Sequence, residues 1–201
     1  GERFSAALSV RIAGPTADVP GRAALLARLV AGRRVVHVGF CDHVPLIERK
    51  ISEGVWLHGL LQASARRCFG IDVDADAVAF CRQRLGITDC RRADVTTEEI
   101  DELRTEERWE YVVLGEILEH VDDPVRFLGA LRTRLGTRVE RILVTAPNAL
   151  RYDNVRAVRT HREIINSDHR YWFTPYTLAK VMAAAGIACR RFWFAEDAGF
   201  R

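Results

Sequence analysis

Residues 109–124, with the sequence WEYVVLGEILEHVDDP, decide the fold. Trp109–Gly115 is a run of aromatic and β-branched residues closed by a glycine, which predicts a buried strand. A helix is predicted to follow, since Asp122 or Asp123 can cap its amino end and Pro124 suits its first position. A strand followed closely by a turn and a helix favours a parallel sheet.

The same alternation of strands and helices continues on both sides of this segment. Further strands are predicted at Arg33–Gly39, Arg66–Asp72, Asp89–Asp94, Val139–Ala146 and Ile187–Phe194. Helices are predicted at Arg22–Val30, Ala75–Leu85, Thr97–Glu107, Pro124–Leu135 and Thr174–Ala185. The predicted fold class is α/β, a doubly wound, Rossmann-like and mainly parallel sheet with helices on both faces.

Composition narrows the class of protein. The 201 residues are 48% hydrophobic and 28% charged, which is typical of a globular chain. There is neither an apolar run of about 18 residues nor a signal-peptide pattern at the start, so we expect no membrane span and a cytoplasmic location. The five cysteines form no C-x-x-C pair, which favours a reduced chain. The net charge of +3 is scattered, so nucleic acid is not expected as a partner.

We expect one globular domain in two parts. Residues 1–31 form an N-terminal helical cap over the mouth of the sheet, and residues 32–201 form the ligand-binding domain. The polar, irregular segment from Pro147 to Phe173 is long for a connection inside a compact domain, which is typical of a lid or substrate loop.

Distinctive residues follow the predicted strands, and ligands of open α/β sheets bind at these carboxyl ends. Gly39, which ends the first strand, lets a ligand approach the backbone closely. Asp72 can accept hydrogen bonds from both hydroxyls of a ribose, and Asp94 can accept one from the exocyclic amine of an adenine. Val95 offers its amide to the ring, and Gly115 ends the fourth strand. Together they predict an adenosine-shaped site.

Residues 33–194 resemble the class I S-adenosylmethionine-dependent methyltransferases. The segments that carry the resemblance are VVHVGFCDH, FGIDVDADAV, RADV, YVVLGEILEHVDDP, LVTAPN and DHRYWFTPYTLAKVMAAAGI. It implies that residues 32–201 are a methyltransferase domain whose cofactor is S-adenosyl-L-methionine. The residues that it places around this cofactor are Gly39, Cys41, His43, Asp72, Val73, Asp94, Val95 and Gly115.

The first loop departs from that family, whose pattern is acid-x-Gly-x-Gly-x-Gly. Only Gly39 remains here, and Cys41 and His43 would crowd the methionine tail. The loss weighs more against a nicotinamide dinucleotide enzyme, which needs its glycines around a pyrophosphate.

The family's sheet also ends in an antiparallel hairpin, whereas this chain reaches Arg201 soon after the first of those strands. Either this chain is truncated, or the last strand is absent or supplied by a partner; an exposed sheet edge there would favour a homodimer.

A second cluster follows the fourth strand. Glu116, Glu119 and His120 share one helical face, and His169 follows in an Asp168-His169 pair. Their oxygen and nitrogen atoms suit Mg²⁺ or another divalent metal. The E-x-x-E-H pattern with a distant histidine resembles the metal site of small-RNA 2′-O-methyltransferases and of ubiquinone-pathway O-methyltransferases.

Two interpretations of this cluster stay open. In one, the four side chains bind a metal that holds two neighbouring acceptor oxygens. In the other, Glu116 neutralises the cofactor while Glu119 and His120 cap or pair locally. Without a metal, His120 or His169 becomes the general base.

The predicted activity is O-methylation of a small molecule such as a sugar, a phenol or a secondary metabolite. Glu116, His120 and His169 are the predicted catalytic residues. Tyr152 and Asp153 in the lid are candidates for substrate selection. The alternatives are an RNA methyltransferase, which a basic face beside the pocket would indicate, and a non-catalytic module that only binds S-adenosylmethionine.

Overall fold

A computed structural model describes residues 8–9, 21–104 and 108–195. Five strands form one sheet in the order β3-β2-β1-β4-β5, and all neighbouring pairs are parallel. The strands are β1 Arg34–Val38, β2 Arg67–Asp72, β3 Cys90–Arg92, β4 Trp109–Gly115 and β5 Val139–Thr145. The strand order reverses between β1 and β4, which confirms the doubly wound fold and places a ligand crevice at the carboxyl ends of these two strands.

Seven α-helices connect and cover the strands of the described chain. They are α1 Arg22–Leu29, α2 Val44–Ser52, α3 Leu57–Ser64, α4 Ala75–Arg84, α5 Pro124–Leu135, α6 Tyr152–Val158 and α7 Pro175–Ala184. Side chains cap three of these helices, and the predicted cap of α5 is confirmed. Asp74 caps α4, Asp123 rather than Asp122 caps α5, and Thr174 forms a capping box with Thr177 at α7. Within the described residues, no helix has the length and apolar character needed to cross a membrane.

Helices cover both faces of the sheet, which explains why the strands are almost continuously apolar. Val36 of β1 faces the larger cluster, which also contains Leu128 of α5 and Leu178 of α7. Val35 points to the opposite face, where it packs with Leu26 of α1 and other residues of that side. The alternation along β1 therefore fixes which helices lie on which face.

The acidic segment Thr97–Glu107 was expected to be helical, and this prediction is wrong for its described part. It contains turns and one short 3₁₀ helix, Asp101–Leu103. The guanidinium of Arg134 in α5 donates to the carbonyls of Thr96, Thr97 and Glu98, at 2.7, 2.6 and 3.2 Å. These carbonyls are the acceptors that a helix starting here would need, so the tertiary contact competes with the helix.

Ile187–Phe194 was expected to be the last strand, and this prediction is also wrong. The segment is extended but pairs with no described strand, so β5 forms an edge of the described sheet. A strand needs a neighbour's ladder of hydrogen bonds, and no apolar pattern supplies that partner. The lid from Pro147 to Phe173 is likewise more regular than expected, because it contains α6.

The core contact of α5 gives the first testable prediction. Leu128 is fully buried, whereas Val125 on the same helix is 36% exposed. We expect Leu128→Ala to lower the free energy of unfolding by about 3 kcal/mol, because it leaves a cavity in the core. The control Val125→Ala should cost less than about 1 kcal/mol. Urea unfolding of both variants measures the difference, and equal losses would contradict the described packing.

Candidate functional site

Gly39 turns the chain at the end of β1. Its φ of +67° lies in the left-handed region that glycine favours. Its amide donates to the carbonyl of Ile71 at 2.8 Å, and a Cβ at this position would overlap the Cδ1 of Ile117. Glycine is therefore required here both by the backbone angle and by the close approach of the turn that follows β4.

Asp72 connects two loops at the carboxyl ends of β1 and β2. One carboxylate oxygen accepts from the amide of Cys41 at 2.9 Å, and the other accepts from the amide of Asp74 at 3.0 Å. Burial raises the pKa of Asp72, while these two bonds act in the opposite direction. Each carboxylate oxygen offers two lone pairs, so each can still accept a hydroxyl from a ligand.

Asp94 lies beyond β3 and fixes a turn. Its Oδ1 accepts from the amide of Thr96 at 2.8 Å and from the Thr96 hydroxyl at 2.6 Å. Burial opposes ionisation, but the hydrogen bonds from Thr96 and Thr97 and the charge of Arg134 together lower the pKa of Asp94. Val73, directly after Asp72, is 61% exposed, whereas Val95 is buried in the core. Only the backbone of Val95 is therefore left for a ligand.

Cys41 and His43 lie in the loop that follows Gly39, as expected. Cys41 is half-buried, with its Sγ 3.9 Å from that of Cys81, and the exposed His43 precedes α2. Neither residue has an atom within 4 Å of the position that a Cβ of residue 39 would occupy, whereas two side-chain atoms of Ile117 lie there. The sequence analysis missed Ile117, because an apolar residue between two polar ones gives no distinctive signal.

Glu116, Glu119 and His120 were expected on one helical face, and this prediction is wrong, because residues 116–120 form a turn and not a helix. The φ of Glu116 is +60°, and its amide donates to the carbonyl and the hydroxyl of Thr145 at 3.2 and 3.1 Å. Its carboxylate lies 3.5 Å from the Nε of Arg22 in α1. Arg22 was not among the predicted site residues, since no local pattern links α1 to the turn after β4. The predicted N-terminal cap, residues 1–31, stays a prediction, because residues 1–7 and 10–20 lie outside the described part of the chain.

Glu119, His120 and His169 come together, as the sequence pattern suggested. One potential ligand atom from each lies within 4.8 Å of the others. The two imidazole rings are perpendicular, with centroids 4.6 Å apart. Both carboxylate oxygens of Glu119 and the Nδ1 of His169 are buried without a hydrogen-bond partner among the described residues. Three polar atoms in one place thus lack the partners that burial demands.

Neighbouring side chains orient the two histidines. The Nδ1 of His120 lies 3.2 Å from a carboxylate oxygen of Asp168, which leaves its Nε2 available. The Nε2 of His169 lies 3.2 Å from the amide nitrogen of Asn166. Hydrogen bonds of this kind select the tautomer and the orientation of an imidazole.

Arg170 joins the two segments that carry the cluster. Its amide donates to the carbonyl of Glu119 at 2.7 Å, and its Nη1 donates to the carbonyl of His120 at 2.5 Å. Its Nε also forms an ion pair with Asp122 at 2.6 Å. The long segment after β5 is therefore fastened to the turn after β4 at the position of the cluster.

The electrostatics of the cluster follow from burial. Burial raises the pKa of Glu119 to about 7, and the nearby charge of Glu116 adds to this effect. Burial also lowers the pKa of His169, and the neighbouring His120 acts in the same direction. A buried carboxylate without partners is costly, so Glu119 requires either a proton or a cation.

A groove of about 2170 Å³ leads away from this cluster. We call it the β5 groove, since β5, α6, α7 and residues 186–195 line it together with Glu116 and His169. Tyr152 and Asp153 of the predicted lid are also part of its lining. Glu116 after β4, the carboxyl end of β5, His169 of the cluster and the lid thus share one open cavity.

The raised pKa of Glu119 gives the second testable prediction, for the metal-free protein. Its pKa of about 7 exceeds the ordinary value of 4.5, so the folded state binds more protons between these two values. The free energy of unfolding should therefore fall as the pH rises from 4.5 to about 7, and level off above. Urea unfolding with chelator at several pH values measures this slope. Glu119→Gln should flatten it, and an unchanged slope would contradict the raised pKa.

A family model described as a methyltransferase domain matches residues 52–191, more than half of the chain. No curated protein sequence matches the chain significantly.

Solved structures share the fold at low sequence identity. A SAM-dependent methyltransferase from Aquifex aeolicus is 12% identical, with a TM-score of 0.52 over 85% of this chain and 82% of that one. Magnesium protoporphyrin IX methyltransferase from Synechocystis, with bound SAH, is 17% identical, with a TM-score of 0.50 over 84% and 71%. A small RNA methyltransferase is 15% identical, with a TM-score of 0.57 over 89% of this chain but 23% of that one.

Proposed function

Because this chain belongs to the family of methyltransferase domains and has the fold of the class I S-adenosylmethionine-dependent methyltransferases, we propose that it methylates a hydroxyl of a small molecule with the help of a divalent cation. One observation carries the finer part of this proposal. Glu119 is fully buried, both its oxygens lack partners among the described residues, and two imidazoles lie beside it. This arrangement suits a cation close to the reacting oxygen.

The cofactor would lie across the carboxyl ends of β1, β2 and β4. The remaining lone pairs of the Asp72 carboxylate would accept the ribose hydroxyls. The exposed side chain of Val73 would pack against the adenine, and Asp94 would accept from its amine. The methionine end would lie near Gly39 and Gly115, where the side chains of Ile117 and Leu57 now fill the space beside the backbone and would have to move. The ligand has no phosphate, so one glycine in the first loop is sufficient.

The cation ligands would be Glu119, His120 and His169. The fit rests on the chemistry of these groups, since an unpartnered buried carboxylate and two imidazoles match the needs of Mn²⁺ or Mg²⁺. When bound, such an ion lowers the pKa of an acceptor hydroxyl and fixes its oxygen. Glu116, the fourth expected ligand, is paired with Arg22 and lies outside the three-residue cluster.

The reaction would be a direct displacement at the methyl carbon. The acceptor oxygen forms a bond to that carbon while the carbon–sulfur bond breaks, and the electron pair goes to the sulfur. The Nδ1 of His120 faces Asp168, so only its Nε2 is free. With a cation bound, this Nε2 would be a ligand and the hydroxyl proton would be released to water; without a cation, the same Nε2 would take that proton. Alignment of oxygen, carbon and sulfur would supply most of the rate, an effect worth about 7 to 11 kcal/mol at most.

Four earlier expectations stay predictions. An RNA acceptor and a non-catalytic module remain the alternatives to this activity. A cytoplasmic location and a homodimer are likewise predicted. The unpaired edge at β5 is compatible with a second copy at that edge.

Asp72 provides the test of the cofactor site. Asp72→Asn removes the negative charge of a carboxylate that would accept hydrogen bonds from two ribose hydroxyls. We therefore expect the affinity for S-adenosylhomocysteine to fall about 10- to 100-fold. The control is Asp76→Asn, which changes an exposed acid of α4. Isothermal titration calorimetry measures both. No binding to the unmodified protein, or equal binding by both variants, would refute the site.

The cation site is tested by direct binding. Calorimetric titration with Mn²⁺ should show one site in the unmodified chain, and ion analysis of the purified protein should find a divalent metal. Glu119→Gln and His169→Asn should each weaken Mn²⁺ binding at least about tenfold, because each removes one ligand. His161→Asn, in the same segment but outside the cluster, is the matched control. Unmodified protein that binds no Mn²⁺ would exclude the cation.

A further inference from the structure

The β5 groove carries an excess of positive charge. Eight arginines and three carboxylates line it. Two of the carboxylates are already neutralised, because Glu116 pairs with Arg22 and Asp153 pairs with Arg151, each at 3.5 Å. Glu140 is the third carboxylate of the lining. The groove therefore attracts anions more strongly than the net charge of the whole chain would suggest.

Four exposed arginines of this lining have no ion-pair partner among the described residues. Arg156 belongs to α6 and Arg162 follows that helix, while Arg190 and Arg191 lie in the segment after α7. Two separate segments of the chain thus bring unpaired guanidinium groups to one groove.

Among the described residues, Arg84 and Arg126 outside the groove also lack an ion pair, whereas several arginines near β2 and β3 are paired. Arg67 pairs with Asp89 at 2.7 Å, and Arg91 pairs with Glu102 at 2.9 Å. These pairs neutralise the surface near β2 and β3, which lies away from the groove. Because a nucleic-acid backbone is bound through a long track of cationic contacts, this neutralised surface favours a small anion over an RNA strand.

The same groove contains aromatic side chains that suit the body of an organic acceptor. Trp172 lies between the cluster and the lid, with its ring 6.4 Å from that of His169 and its Nε1 donating to Glu163 at 2.9 Å. Tyr152 is 77% exposed, and Trp193 is 37% exposed. Apolar rings beside cationic groups are the setting that a molecule with both a ring and an anionic group requires.

We propose that the methyl acceptor is a small molecule that carries a phosphate or diphosphate group, which Arg156 and Arg162 bind in the β5 groove. Arg190 and Arg191 add to the positive potential at this group. The guanidinium fork binds phosphate oxygens through two parallel hydrogen bonds, so paired arginines suit this ligand. The acceptor hydroxyl then lies at His169 and its neighbours, in the same cavity. This inference rests on the proposed methyl transfer, because it names the substrate class of that reaction.

The test uses inorganic pyrophosphate as the probe and the full chain, saturated with S-adenosylhomocysteine. We expect calorimetry to detect pyrophosphate binding that weakens with rising salt. The double substitution Arg156→Gln with Arg162→Gln should lower this affinity about tenfold or more. The corresponding lysine substitutions should restore part of it, since they keep the charge. Arg84→Gln with Arg126→Gln, on α4 and α5, is the matched control and should leave the affinity unchanged.

Each arm separates one explanation from another. If the glutamine variant binds S-adenosylhomocysteine normally but loses pyrophosphate, the groove is assigned while the fold and cofactor site are intact. If the unmodified chain binds the cofactor product but not pyrophosphate, the inference fails and the proposed methyl transfer survives. A short single-stranded RNA that binds more tightly than pyrophosphate, with a steep salt dependence, would overturn the small-molecule acceptor.

Discussion

The burial of the Glu119 carboxylate is the constraint on which the site depends. The turn after β4 places this side chain in the interior, and Arg170 fastens the long segment after β5 over it. The same contact brings His169 to His120. A carboxylate enclosed in this way would destabilise the fold without a compensating charge or proton, which is why we propose a functional rather than a stabilising role for the cluster. A bound cation would neutralise the buried carboxylate, so relief of this unfavourable burial would strengthen binding of the cation.

Much of the fold could be predicted because local and tertiary requirements agree. The strand β4 is largely buried on both faces, so Trp109–Gly115 is apolar except at Glu110 and is recognised without knowledge of its neighbours. Asp123 and Pro124 mark the start of α5 for purely local reasons, since one accepts a free amide and the other lacks one. The E-x-x-E-H spacing likewise places Glu119 beside His120 through local geometry, and only the arrival of His169 depends on the fold.

The rest depended on contacts between distant parts of the chain. Arg134 donates to carbonyls that a helix at Thr97 would have used as acceptors. Nothing in the sequence of that segment indicates that a distant arginine will bind them. The Arg22–Glu116 pair joins a helix near one end of the described chain to the turn after β4, so no spacing rule reveals it. The last predicted strand failed for a related reason, because a strand is a property of two segments and its pattern describes one.

Ile117 gives the turn after β4 a double role. It packs against Gly39 in the loop beside the predicted cofactor tail, and it lies two positions before Glu119 in the same turn. One short stretch of backbone is thus shared by both halves of the site. Any rearrangement that makes room beside Gly39 must also move the residues that precede the buried carboxylate. Thermodynamic linkage would make this coupling mutual. Cofactor binding would change the affinity for the cation by the same factor as cation binding changes the affinity for the cofactor.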